Sequence, residues 1–247
     1  MAPNKRCLLW DWTNTRDVPW AMDNVDFKGP MSSVSNWNTW TPPELKGRAP
    51  FRPMVRTKDQ LSGDDWQNVL KSKEHIVHFF NEPERAGISS AEAAQLWEQH
   101  MVPLRKEHGK KLVSPSCASD PKGKEWITDF LKRVAAHPPD YLGLHYYGPN
   151  GDDAVKFIEE MHQAHPKMPV IVSEIACTSR DKGQVYHFTA KLANWMDGQE
   201  WVFEYGFFGC MTHVADGFVS PEAQLMKPDG HFTELMDKLM HEVPVKA

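Results

Sequence analysis

Two carboxylates in this 247-residue chain sit where a carboxylate needs a reason. The run "HIVHFFN" at 75–81 is apolar and strand-like, and it ends on Asn81 and Glu82 before Pro83 stops it. The run "VIVSEIA" at 170–176 sets Glu174 near the end of a second such strand. Burying either carboxylate in an apolar strand without a partner or a task is costly. Two carboxyl groups brought face to face meet the requirement for cleaving a glycosidic bond. One protonates the leaving oxygen, and the other attacks the anomeric carbon or activates a water that does. The competing reading for each Glu alone is an ion pair with a barrel cation such as Arg56. Pro83 cannot donate to a continuing ladder and restrains the residue before it, so it helps end the strand and aim Glu82.

The elements that must position these groups recur along the chain as short apolar runs followed by amphipathic ones. Strands are expected at 6–12, 33–38, 51–57, 75–81, 111–117, 141–147, 170–176 and 202–210. Several are near-continuous apolar runs, as parallel strands covered on both faces require. Ser89 and Glu92 form a capping box ahead of the stripe Ala93, Leu96, Trp97, Met101 and Leu104, and Gly109 ends that helix. Further helices are expected after Pro121, after Asp152, around Val185–Met196, around Phe232–Leu239, and, shorter, at 61–72. Eight strands alternating with helices in this length indicate an α/β protein with one domain, a (β/α)8 TIM barrel. The early βα segments at 13–50 show no long helix and are expected to be irregular. An open doubly wound sheet is the alternative, but no Gly-rich phosphate turn follows the first strand.

If the chain is a barrel, chemistry belongs at the C-terminal strand ends, where Glu82 and Glu174 fall on strands four and seven. An Asn-Glu pair closing strand four and a Glu near the end of strand seven resemble the large clan of retaining barrel glycosidases. Within it, "LLWDW" (8–12), "FFNEPE" (79–84), "GLHYYG" (143–148) and "VSEIAC" (172–177) are similar to glycoside hydrolase family 128, a family of β-1,3-glucanases. The resemblance implies hydrolysis of internal bonds in a β-1,3-glucan with retention, Glu82 acting as acid/base and Glu174 as nucleophile. It further implies that Asn81 hydrogen-bonds the sugar 2-hydroxyl, which a β-1,3 linkage leaves free. The expected partner is a β-1,3-glucan polysaccharide or oligosaccharide, the expected state a monomer, and no cofactor is called for. A polymeric wall glucan places the work outside the cell, although no secretory signal opens this sequence. A glucan-binding barrel without catalysis, or an enzyme of the same clan acting on another β-glycan, are the alternatives.

Around the pair, His145, Tyr146 and Tyr147 end the sixth strand, and Tyr147 is the expected neighbour of Glu174, holding it ionised. The chain carries 10 Trp, and aromatic rings are the usual platforms for sugar faces. Trp37 and Trp40 are the stacking candidates in the irregular early segment. Trp10 and Trp12 close the first strand, and at most one of them is expected to face the barrel interior. Asn36 and Asn38 are candidate partners for sugar hydroxyls, and Asp11 a candidate to orient a neighbour. Trp66, Trp97, Trp126 and Trp195 lie on helical stripes and are read as core. Glu84 is read as a solvated loop carboxylate and Glu204 as a charge near the barrel rim. His75 and His78 point to opposite faces of their strand and HExxH is absent, so no catalytic metal is expected. Cys7, Cys117, Cys177 and Cys210 are read as free core thiols, with a pair at one end of the barrel as the alternative. A net charge of −5 gives no reason to expect nucleic acid or an anionic membrane.

Overall fold

The computed structural model describes residues 4–247. Eight parallel strands are laid out in chain order: β1 (Arg6–Leu9), β2 (Met31–Ser35), β3 (Met54–Val55), β4 (Ile76–Phe79), β5 (Lys111–Val113), β6 (Leu142–Gly148), β7 (Val170–Cys177) and β8 (Val202–Phe207). The helices are α1 (Trp12–Asp17), α2 (Gly63–Lys71), α3 (Ser90–Leu96), α4 (Val102–His108), α5 (Pro121–Arg133), α6 (Gly151–Ala164), α7 (Lys182–Gly198) and α8 (Glu234–His241). Ladders join β2-β1-β8-β7-β6 into one sheet and β3-β4-β5 into another. Two isolated bridges, Val34 to Phe51 and Val113 to Tyr141, sew those sheets into a closed TIM barrel.

Strand burial follows the apolar runs. All eight residues of β7 are buried, as a strand covered by helices outside and side chains inside must be. The helices begin where a side-chain oxygen meets an orphan N–H: Ser89 accepts from Glu92, Asp120 from Gly123, and Asp181 from Gln184. The stripe from Ala93 to Leu104 is one rod containing a π turn at Trp97–Met101. Pro103 accounts for that turn, because it supplies no N–H and its ring displaces the carbonyl four residues earlier. Trp97 is fully buried there, while Trp66, Trp126 and Trp195 are partly buried against the same core.

The early segment departs from expectation in detail. The first strand stops at Leu9, not residue 12, because Asp11 caps α1 by accepting the Thr13 N–H. Beyond it lie 3-10 turns at Pro19–Asn24 and Pro43–Leu45, each with Pro in its first turn. Strand β3 keeps only two ladder residues of the seven expected.

Glu204 is not at the rim. It is 2% exposed inside the barrel, where Arg52 Nη2 reaches it at 2.8 Å and Ser33 Oγ donates at 2.6 Å. A buried carboxylate is tolerable only with such pairing. His78 points into the same interior, and burial, reinforced by the Arg52 charge, brings its pKa down to about 3. The four cysteines are buried and free.

Candidate active site

Strand β4 ends in an unusual backbone. Phe80 and Glu82 both have φ of +43°, flanking Asn81. Left-handed backbone at a bulky residue costs about 1–3 kcal/mol and persists only where the surroundings over-determine it. Both neighbouring strand ends do so here. Phe80 and Asn81 donate N–H to Val55 and Arg56, and Glu82 donates to the Ser116 carbonyl at 2.8 Å. This kink, together with Pro83, turns the Glu82 side chain over the barrel mouth. Its ion partners are His145 and Arg85, rather than Arg56.

On the far side Glu174 is 7% exposed within β7 and receives a set of donors. Tyr147 Oη donates to Oε2 at 2.6 Å, and Trp37 Nε1 donates to Oε1 at 2.6 Å. His145, 1% exposed, lies between the two carboxylates, with Nδ1 at 3.0 Å from Glu82 Oε1 and Nε2 at 3.5 Å from Glu174 Oε1. One oxygen of each glutamate and one ring nitrogen lie within 4.8 Å of one another. The same three groups are close enough to hold a cation between them.

Burial alone would lower the His145 pKa. The Glu174 charge and the Glu82 hydrogen bond and charge outweigh it and raise the pKa. Burial likewise pushes Glu82 up, but His145 first and Arg85 next bring it below the usual carboxylate range. Each partner thus favours the charged form of the other across the 3.0 Å contact between His145 Nδ1 and Glu82 Oε1. Burial, and then the Glu174 charge, drives the Tyr147 phenol well above its ordinary range, so it stays a donor.

These groups open into a cavity of about 820 Å³, walled by Asp11, Trp12, Trp37, Arg56, Arg85, Asp120, Phe208 and Phe218 among others. Asn81 lines it, and its Oδ1 is buried without a hydrogen-bond partner. Trp37, with φ of +58°, packs edge-on against Phe208 at 5.7 Å. It serves Glu174 as a donor as well as lining the cleft. Trp12, 44% exposed at the start of α1, stands at the rim with the Arg16 guanidinium over its ring, 5.7 Å from the centre.

Other candidates lie elsewhere. Trp10 is fully buried and its Nε1 donates to Glu44 Oε1 at 2.9 Å, so it cannot touch a sugar. Trp40 is half-buried outside the cavity lining, and its carbonyl accepts from Asn36 Nδ2. Asn36 and Asn38 are buried and spend their amides on the loop that carries Trp37. Tyr146 faces outward onto Phe157 of α6, the face opposite to His145 and Tyr147.

Glu84, expected in solvent, is 5% exposed and accepts the Ala118 N–H at 2.7 Å. It ties the strand-four turn to the Ala118–Asp120 stretch of the cleft wall. Gly123 lets α5 close on that stretch, since a Cβ there would sit 1.9 Å from the Ala118 carbonyl. Phe208, Phe218, Arg85 and Asp120 were not singled out by the sequence. Only the adjacency of Arg85 to "NEPE" could have signalled any of them.

A parallel barrel with two carboxylates at opposing strand ends is the arrangement found in barrel glycosidases. Residues 10–238 match the glycosyl hydrolase catalytic core family. The chain belongs to glycoside hydrolase family 128, a family that includes β-1,3-glucanases. It is 58% identical, over the full length of both chains, to the subgroup VI exo-β-1,3-glucanase from Aureobasidium namibiae, with a TM-score of 0.99. A subgroup V exo-β-1,3-glucanase from Cryptococcus neoformans is 27% identical with a TM-score of 0.83, over 96% of this chain and all of that one. The alkali-sensitive linkage protein 1 of Schizosaccharomyces pombe is 26% identical over 229 residues, 89% of this chain and 42% of that protein. The chain thus spans less than half of that relative's length.

Proposed function

We propose that this protein hydrolyses β-1,3-glucans from chain ends, with retention of anomeric configuration. The observation that carries the reading is the Glu82–His145–Glu174 cluster, with an oxygen of each carboxylate within 4.8 Å of the other. Retaining enzymes hold their carboxyl groups about 5–5.5 Å apart, too close for a water between them. Chain-end attack follows the relative at 58% identity, which is described as an exo enzyme, in place of the internal cleavage expected from sequence.

Glu174 attacks the anomeric carbon, its oxygens aligned by Tyr147 and Trp37. Glu82 protonates the leaving oxygen, with His145 Nδ1 at 3.0 Å as its hydrogen-bond partner. The ring then holds Glu82 as a base while a water displaces Glu174 from the sugar. Asn81 Oδ1 accepts from the 2-hydroxyl, a contact that strengthens as charge develops at the adjacent carbon. Substrate over the site excludes water from Glu82 and favours its protonated form, as burial does for any carboxyl.

Glu174→Ala tests the assignment by reducing-sugar release from laminarin. The variant should fold and lose activity by at least about 10³-fold, with azide restoring an α-configured product. Wild-type release of internal fragments would replace chain-end attack by the endo mode. Unchanged hydrolysis by the variant would remove the nucleophile assignment.

A further inference from the structure

The turn after β7 and the long connection after β8 meet beside the catalytic pair. Residues 213–218 of that connection form an exposed tip. At its far base Leu225 donates N–H to the Gly209 carbonyl, and Gln224 Nε2 donates to Met211. Its near base is gripped from the β7 side. Arg180 Nη1 donates to the Val219 carbonyl at 2.5 Å and Nη2 to the Gly217 carbonyl at 2.6 Å. Ser220 Oγ donates to the Ser179 carbonyl at 2.5 Å.

The two carbonyls held by the guanidinium flank Phe218. That side chain is 53% exposed and meets the Tyr147 ring edge-on at 5.3 Å. Val219 and Ser220 at the near base are buried, and the Val219 N–H donates to the Asp216 carbonyl, but the exposed tip at 213–218 is tied to the β7 side through the Arg180 hydrogen bonds. Phe218 and Asp216 wall the cleft over Tyr147, the donor to Glu174. Among these ties only Arg180 bonds the carbonyls on both sides of Phe218 through one planar fork, a geometry a lysine ammonium does not reproduce.

We infer that Arg180 is a positioning residue that fixes the Asp216–Phe218 wall of the cleft and thereby the way a glucan chain is admitted. The inference rests on the hydrolase reading above. With the clamp closed, the wall stands beside the reacting sugar and a chain end is seated against it. With the clamp released, the tip can swing aside and a chain can run past, so internal bonds reach Glu82 and Glu174. Arg180 touches neither carboxylate, so the chemistry itself should be spared.

Arg180→Ala, Arg180→Lys and Ser220→Ala separate these roles through two readouts. Amide exchange at 216–220 should quicken about ten-fold or more in Arg180→Ala, the loss of a charge-assisted hydrogen bond, with Arg180→Lys between it and wild type. On laminarin, Arg180→Ala should raise KM about ten-fold and leave kcat within about two-fold, the split of lost binding rather than lost chemistry. Its products should widen from one short sugar toward a ladder, and Ser220→Ala should follow more weakly. Unchanged exchange at 216–220 would overturn the clamp. Quickened exchange with wild-type KM and products would overturn its role in admission. A wild-type protein inert on laminarin would instead defeat the hydrolase reading, and exchange would still decide the clamp.

Discussion

Tyr147→Phe isolates one interaction of the nucleophile. The phenol donates to Glu174 Oε2 at 2.6 Å, while Oε1 has its own donor in Trp37. Phenylalanine preserves the ring, including its edge contacts with Phe208 and Phe218. The change removes one hydrogen bond to an ionised group in a buried setting, about 1.5–3 kcal/mol. At ten-fold per 1.4 kcal/mol, kcat/KM should fall about 10- to 150-fold. Initial rates of sugar release from laminarioligosaccharides, with circular dichroism to confirm folding, give the measurement. Tyr146→Phe is the internal control. The adjacent ring faces α6, so its activity should stay within about two-fold of wild type. Wild-type kcat/KM in Tyr147→Phe, or an equal loss in Tyr146→Phe, would refute the positioning of Glu174 by this phenol.

Arg52→Ala strands Glu204 inside the barrel and should cost about 3–5 kcal/mol in urea unfolding. The double variant Arg52→Met/Glu204→Leu should recover most of that loss. Glu84→Ala leaves the Ala118 N–H unpaired and should lower stability by about 1–3 kcal/mol, read as a fall in Tm of about 2–12 °C. Stability should also depend on pH through the cluster. The His145 pKa is raised above its ordinary 6.5, so its contribution is full below that pH and is lost as pH rises through the folded value. The Glu82 pKa lies below its ordinary 4.5, so its contribution is present above that pH and is lost as pH falls through the folded value. Urea unfolding of His145→Gln across that range should show a flatter alkaline slope than wild type.

Periodicity carried the reading of the barrel as far as periodicity extends. The buried runs of β4 and β7 and the capped stripes of α3 and α5 declare themselves locally. β3 does not, because its two-residue ladder is defined by neighbours, and the 3-10 turns of the early segment have no repeat to detect. Glu82, Glu174 and Tyr147 were legible as strand-end residues. The role of Trp37 was not, since a left-handed turn swings its indole across to a strand distant in sequence. Trp10 misleads for the opposite reason: an aromatic at a strand end is equally at home under a loop, and Glu44 is what waits there. The same blindness to long-range partners placed Glu84 in water and Glu204 at the rim.

Glu82 rides on the three-stranded sheet and Glu174 on the five-stranded one, and the backbone seams at Val34–Phe51 and Val113–Tyr141 stitch the two together. The gap between acid and nucleophile is therefore a gauge of how tightly the cylinder is shut. Loosening a seam beneath the mouth would widen the jaws above without touching either tooth. A fall in kcat in a Val34 or Tyr141 variant that keeps its fold would register that slack, and an unaltered kcat in a measurably loosened seam would deny it.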